Sequence, residues 1–217
     1  ERTSQRLLTP YRVLDLTDEK GFLCGKILAD MGANVLKVER PGGDPGRRLG
    51  PYYHDQPEAE KSLYWAANNT NKRGVTCDVS VREGRELFTG LLRWADVLIE
   101  NNLPRQMREW NLSYAQLQEI NPRLVMISIT PFGQTGPYSA WNGYDLNAFH
   151  LSGASSRYCG RPGEMPLEHG TFSADYFGAI TGAAWGLAAV FGRDLVGGGQ
   201  QVDVSCAEAI AAAAHES

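Results

Sequence analysis

The 217-residue sequence predicts an α/β fold, an open Rossmann-like parallel sheet flanked by helices. Two observations carry this. Short apolar runs of strand length alternate with helical patterns, as in Tyr11–Leu16, Phe22–Met31 and Asn34–Val38, and such spacing requires a parallel crossover. The second is Thr171–Arg193, TFSADYFGAITGAAWGLAAVFGR, which carries no charge from Tyr176 to Gly192 and predicts a buried helix, apolar all round. That run is short for a membrane span and rich in glycine and alanine, so it reads as core.

The elements follow in order. Residues 1–10 are polar and read as a frayed lead-in, with one unit from 11 to 217. Tyr11–Leu16 is a buried strand, Phe22–Met31 a helix stopped by Gly32, and Asn34–Val38 the next strand. The turn between the first strand and its helix, Asp18-Glu19-Lys20-Gly21, lacks the glycine pattern of a dinucleotide site. Glu39–Ser62 is a long loop, and loops of that length in compact domains tend to carry function. A polar turn at Asn68–Arg73 precedes a strand at Gly74–Val79. Glu83–Trp94 has amphipathic spacing, Asp96–Glu100 is a strand, and Pro104–Trp110 and Ser113–Ile120 are short helices. Leu124–Ile129 is a strand that runs into a Gly/Pro loop at Thr130–Pro137, the position where open parallel sheets place ligands. Asn142–Ser152 begins a helix, Gly153–Gly170 is a loop, Gln201–Ser205 is the last strand, and Cys206–Ala214 is an alanine-rich helix.

Composition excludes some functions. A net charge of −4 gives no reason to expect nucleic acid. Cys24, Cys77, Cys159 and Cys206 are scattered without a Cys-x-x-Cys pair, so no metal site is expected, and they fit a reducing cytoplasm.

The candidate site lies at the head of the charge-free helix. Ser173 is a candidate N-cap and Asp175 the one charged group near the helix start. Asp175 reads either as a first-turn carboxylate complementing the helix dipole or as a nucleophile kept ionised by the helix N-terminus. Gly178, Gly182 and Gly186 share one face, where another backbone or a ligand comes close.

Nine ordered segments resemble the class III coenzyme A transferases, whose fold is shared by 2-methylacyl-CoA racemases. They are VLDLT (13–17), LADMGANVLKVERPGGDP (28–45), NTNKRGVTCDV (69–79), EGREL (83–87), ADVLIEN (95–101), NPRLVMISITPFGQTGPY (121–138), GYDLNAFHLSG (143–153), SADYFGAITG (173–182) and GGGQQVDVSCAEA (197–209). The resemblance places the family's catalytic aspartate on Asp175. It implies attack on an acyl-CoA thioester, an aspartyl–acyl anhydride, an aspartyl-CoA thioester and passage of CoA to a second carboxylic acid. Coenzyme A is the co-substrate. Its nucleotide phosphates need cations, and the resemblance offers Arg40, Lys72 and Arg73, with Arg105 and Arg108 near a position where Glu109 stands in place of the usual arginine. Solvated surface cations are the competing reading for each. Asp145 and Tyr144 occupy the position of the racemases' His-Asp pair, so Asp145 is expected as a supporting carboxylate and Tyr144 as the group replacing the histidine.

Three departures qualify the resemblance. After Thr17 the family's Ala-Gly-Pro turn is replaced by DEKGFLCG, one residue shorter. The family's small domain and glycine-rich lid are absent, so the chain reads as the N-terminal part of the large domain. The racemase histidine is missing; His150 and His169 are the nearest substitutes. The expected activity is CoA transfer between an acyl-CoA and a carboxylic acid. The alternatives are an acyl-CoA racemase, or a CoA-binding chain that acts only with a partner subunit. The family's interlocked homodimer is the expected assembly; no membrane or nucleic-acid partner is expected. Tyr138, Trp141 and Tyr158 point to an apolar or aromatic acyl group or, equally, to loop packing.

Overall fold

A computed structural model of the chain describes residues 6–214 except 160, 162, 166, 168 and 169. Its elements are β1 (Arg12–Asp15), α1 (Phe22–Asp30), β2 (Asn34–Glu39), α2 (Leu63–Asn69), β3 (Arg73–Thr76) and α3 (Arg82–Trp94). They continue with β4 (Val97–Glu100), α4 (Pro104–Glu109), α5 (Tyr114–Ile120), β5 (Val125–Thr130) and α6 (Asp145–Leu151). The chain then forms α7 (Ser155–Tyr158), α8 (Ser173–Val196), β6 (Gln201–Ser205) and α9 (Cys206–Ala214). The six strands pair in parallel in the order β3-β2-β1-β4-β5-β6. The order reverses between β1 and β4, and a crevice opens at the carboxyl ends of strands where such a reversal occurs.

Side chains alternate across the sheet and feed two cores. Val13, Val35, Ile99, Ile127 and Ile129 join α1, α8 and α9 in one core on one face. Leu14, Leu98 and Met126 meet Phe88, Leu92 and Leu117 of α3 and α5 on the other. Because both faces are covered, the central strands are apolar along their length rather than alternating.

The three glycines of α8 do not leave room for a ligand. A Cβ on Gly186 would lie 2.2 Å from Ile127 Cδ1, one on Gly182 3.0 Å from Ile129 Cδ1, and one on Gly178 2.5 Å from Cys206 Sγ. The glycine face is therefore the seam along which the helix sits down on β5 and α9, so of the two close neighbours expected there it is another part of the chain, not a ligand, that these residues meet. A larger residue at 186 gains about 1 kcal/mol of helix propensity but forces the helix off the sheet at a typical cost of about 1–3 kcal/mol. Gly186→Leu is expected to be net destabilising, read as a lower urea midpoint. An unchanged midpoint would show that the helix stands clear of Ile127.

The opposite face of α8 departs from expectation. Phe177 is 41% exposed, Phe191 58% and Leu195 91%, so the helix is buried along its glycine face and bare along the face that these residues share. The lead-in departs too. Leu8 is buried and its N–H donates to Met31 O at 3.1 Å, tying the chain to the end of α1. Residues 1–5 lie outside the described residues. Helix α2 follows the long loop, over residues 63–67 to which the sequence assigned no element and the start of the expected polar turn. Ser62 starts it by accepting the Trp65 N–H at 3.0 Å, and its seven residues are too few for a periodic signal. Strand β3 begins at Arg73 and ends at Thr76, earlier than its apolar run, and Cys77 and Val79 are buried beyond the last ladder residue.

Candidate active site

Asp175 is the third residue of α8 and is 2% exposed. Ser173, expected as N-cap, is instead the first helical residue, with its hydroxyl 2.8 Å from Thr171 Oγ1. The residue in the cap position is Phe172, whose side chain has no oxygen to offer the first N–H groups. Asp145 takes over that task from the start of α6. Its Oδ1 accepts the Asp175 backbone N–H at 3.0 Å. The structure thus brings together the two carboxylates that the sequence set 30 residues apart. Tyr144 does not join them. Its ring is 69% exposed, and its contribution is a backbone N–H donated to Asn147 Oδ1 at 3.0 Å, which opens α6.

Burial dominates the electrostatics of Asp175. Loss of water, followed by the nearby charge of Asp145, pushes its carboxyl up to about 8, against an opposing pull from Lys20. Ionisation favoured by the helix N-terminus was the expectation; a terminus offers only about half a unit charge, which is outweighed by desolvation of a carboxylate. With its carboxyl raised to about 8, Asp175 keeps its proton to higher pH than an ordinary aspartate does.

Three neighbours escaped the sequence reading. Tyr64 of α2 donates its hydroxyl to Glu19 O at 3.1 Å and packs its ring edge-on against Phe172 at 5.4 Å. Cys206, at the head of α9, lies under Gly178; burial and the two aspartates push its thiol up, so it remains a neutral thiol. Lys20 lies in the turn whose sequence departs from the family. The signal for Lys20 was that departure itself.

The crevice at the β1/β4 reversal holds a cleft of about 400 Å³. Arg40, Thr17, Asp18, Asn101, Gln106 and Trp110 are among its walls. Arg40 is exposed there at the end of β2. The other expected cations are elsewhere. Lys72 is buried, with its ammonium donating to Asp15 Oδ2, Phe22 O and Asn69 Oδ1, each at 2.8 Å. All three ammonium protons have partners, so Lys72 as placed here has no N–H for a phosphate. Arg73 turns toward the amino end of the sheet and donates to Asn34 Oδ1 at 2.9 Å. Arg105 reaches Asn142 Oδ1 at 3.5 Å, and Arg108 lies exposed on α4. The turn at 17–21 connects the two regions, since Thr17 and Asp18 line the cleft while the charges of Asp18, Glu19 and Lys20 act on Asp175.

His150 lies on α6 with Nε2 3.2 Å from Leu167 O, and His169 lies outside the described residues. Tyr138 and Trp141 pack on each other at 4.6 Å, and Trp141 also meets Phe132 at 6.4 Å. The side chain of Tyr158 is outside the described residues. Among the described residues no group of three or more His, Cys, Asp and Glu is placed to hold a metal ion, and no helix is long and apolar enough to cross a membrane.

Known proteins match this architecture along the chain. A subunit of succinyl-CoA:(R)-benzylsuccinate CoA-transferase from Thauera aromatica is 40% identical over 203 residues, covering 94% of this chain and 49% of that protein. The alpha subunit of succinyl-CoA–L-malate CoA-transferase from Chloroflexus aurantiacus is 39% identical over 209 residues, covering 94% and 47%. The crystal structure of a CAIB/BAIF family protein from Brucella suis superposes with a TM-score of 0.85 at 34% identity, covering 96% of this chain and 55% of that one. The chain spans about half the length of the curated relatives it matches. The model of CoA-transferase family III matches residues 8–217, and the chain belongs to that family.

Proposed function

We propose that the protein transfers coenzyme A from a dicarboxylic acyl-CoA to a second carboxylic acid, with Asp175 as nucleophile. The observation that carries this reading is the buried Asp175 carboxyl at the head of α8, with Asp145 on its backbone N–H. An Asp175 oxygen adds to the thioester carbonyl and expels CoA thiolate, leaving a mixed anhydride. The thiolate then attacks the aspartyl carbonyl of that anhydride, releasing the donor acid and forming an aspartyl-CoA thioester. The acceptor carboxylate repeats the exchange in reverse, giving its own CoA thioester and free Asp175. Burial serves every step, because an anhydride in contact with water hydrolyses.

Family membership supports CoA as co-substrate, and the two relatives named above are succinyl-CoA transferases, which supports a dicarboxylic donor. The cleft beside Arg40 suits the nucleotide end of CoA, at the crevice where parallel sheets bind such groups. Arg105 and Arg108 stand exposed on α4 outside the walls of that cleft, and Lys72 serves as the countercharge of buried Asp15. The bare face of α8 fits a further protein surface, a second copy or a partner subunit. Four free cysteines accord with a cytoplasmic setting.

The test is an assay of full-length protein with succinyl-CoA and a panel of dicarboxylic acids. Formation of the acceptor's CoA thioester with equimolar succinate release is expected, in ping-pong kinetics. Release of free CoA alone, or racemisation of a 2-methylacyl-CoA without transfer, would contradict the reading.

A further inference from the structure

Lys37 sits in β2 between Leu36 and Val38 and is 1% exposed. An ammonium buried to that degree must find its partners inside the protein. Its Nζ bonds the Thr17 carbonyl and lies 3.4 Å from the Val38 carbonyl and 3.4 Å from Asp44 Oδ2. The Phe22 ring covers another side, with its centroid 5.2 Å from the ammonium. Thr17 belongs to the turn after β1, Val38 to β2 itself and Asp44 to the loop that follows β2. All three line the cleft that also holds Arg40, so a single ammonium joins three segments of its wall from inside the protein.

The charges of the cleft give that position a further consequence. Among the described residues its walls carry three carboxylates, Asp18, Asp44 and Asp78, against one cation, Arg40. Asp18 is bonded to the Lys20 ammonium, and Asp78 accepts the Ser80 N–H at 2.9 Å and the Ser80 hydroxyl at 2.6 Å. Asp44 is the buried one of the three. Its Oδ1 accepts the Gly46 N–H at 2.8 Å, which leaves Oδ2 to Lys37. A phosphate entering this cleft is repelled by a bare Asp44 carboxylate and tolerates one whose charge is matched.

We propose that Lys37 is the positioning residue of the nucleotide cleft: it fixes Thr17, Val38 and Asp44 as one wall and cancels the charge of Asp44, so that the wall accepts the phosphates of CoA. This rests on the reading that the cleft beside Arg40 takes the nucleotide end of CoA. Lys37 does not touch the ligand. Its three protons face three protein oxygens, so it acts through the wall that it holds.

The experiment is a calorimetric titration of full-length protein with coenzyme A, with KM and kcat for succinyl-CoA measured alongside. In Lys37→Met, Kd and KM are expected to rise about tenfold, a change of about 1.4 kcal/mol in binding, with kcat altered less. Asp44→Asn keeps an oxygen for the Gly46 N–H and removes the charge. Lys37 is then unmatched, and Kd is expected to fall below wild type. The double variant is expected to lie closer to wild type than Lys37→Met does. A merely structural lysine would lower the fraction of protein that binds and leave Kd where it was. Lys37 also helps to hold buried Asp15, so Asp44→Asn carries the test if Lys37→Met does not fold. A wild-type Kd in folded Lys37→Met, or a Kd that does not fall in Asp44→Asn, would overturn the proposal. If Arg40→Ala raises Kd in the same assay while the Lys37 and Asp44 variants leave it unmoved, Lys37 alone is rejected. A Kd indifferent to all three would reject the cleft as the nucleotide site.

Discussion

Asp175→Asn is expected to lower kcat of the full-length protein by about 10⁴-fold or more, the scale seen when a covalent nucleophile is removed. The amide keeps the size and the backbone N–H that Asp145 accepts, but its oxygen does not displace CoA thiolate. The same substitution has a separable effect on stability. In the folded chain burial raises the Asp175 carboxyl to about 8 from an ordinary 3.8. The stability tied to its bound proton is complete below about 3.8 and is lost as pH rises through about 8. Asp175→Asn removes that loss, so between pH 5 and pH 9 the variant should retain on the order of 4 kcal/mol more of its stability than wild type. Urea midpoints at the two pH values measure it. Lost transfer together with firmer alkaline stability separates chemistry from unfolding, whereas a variant weakened at both pH values would show that Asp175 is a structural carboxylate.

Lys72→Met is the second large effect, and it falls on stability. Asp15 is fully buried, and its Oδ2 lies 2.8 Å from the Lys72 ammonium. Burial alone would raise Asp15; the charges of Lys72 and Lys37 and the bonds from Lys72 and Thr17 outweigh it and hold the carboxyl below its ordinary value. Its contribution is present above about 3.8, the ordinary value, and is lost as pH falls through the lower folded one. Removing one partner of a buried pair costs about 3–5 kcal/mol because a lone charge is left behind, a large part of a domain's ordinary 5–15 kcal/mol. The double variant Asp15→Asn with Lys72→Met should be less damaging than Lys72→Met alone, and a double-mutant cycle in urea measures the difference. A raised KM for CoA with unchanged stability would instead return Lys72 to the nucleotide site.

The sheet was legible because both of its faces are covered. Parallel strands buried on two sides appear as apolar runs, and each run from 11–16 to 201–205 became a strand within a few residues. Helix α2 was hidden because its seven residues are too few to show a period. The bare face of α8 was hidden for a different reason: an apolar stretch signals that burial is needed, without saying which surface supplies it. At the site, Asp175 was visible as a lone charge before an apolar helix, and Asp145 as a neighbour through the resemblance. Their contact depends on where α6 ends up, which no local pattern encodes. Lys72 shows the converse. A lysine in a polar turn looks like surface, yet this one folds inward because Asp15, fifty-seven residues earlier, needs a countercharge. Among the cations expected for the nucleotide, only Arg40 lines the cleft.

A nucleophilic Asp175 becomes covalently bonded to the substrate during transfer. Full-length protein incubated with succinyl-CoA and no acceptor acid, quenched with hydroxylamine and digested, is examined by peptide mass spectrometry. A hydroxamate is expected on Asp175 in the wild type and none at that position in Asp175→Asn. A hydroxamate on Asp145 or any other carboxylate, with Asp175 unmodified while transfer proceeds, would contradict it.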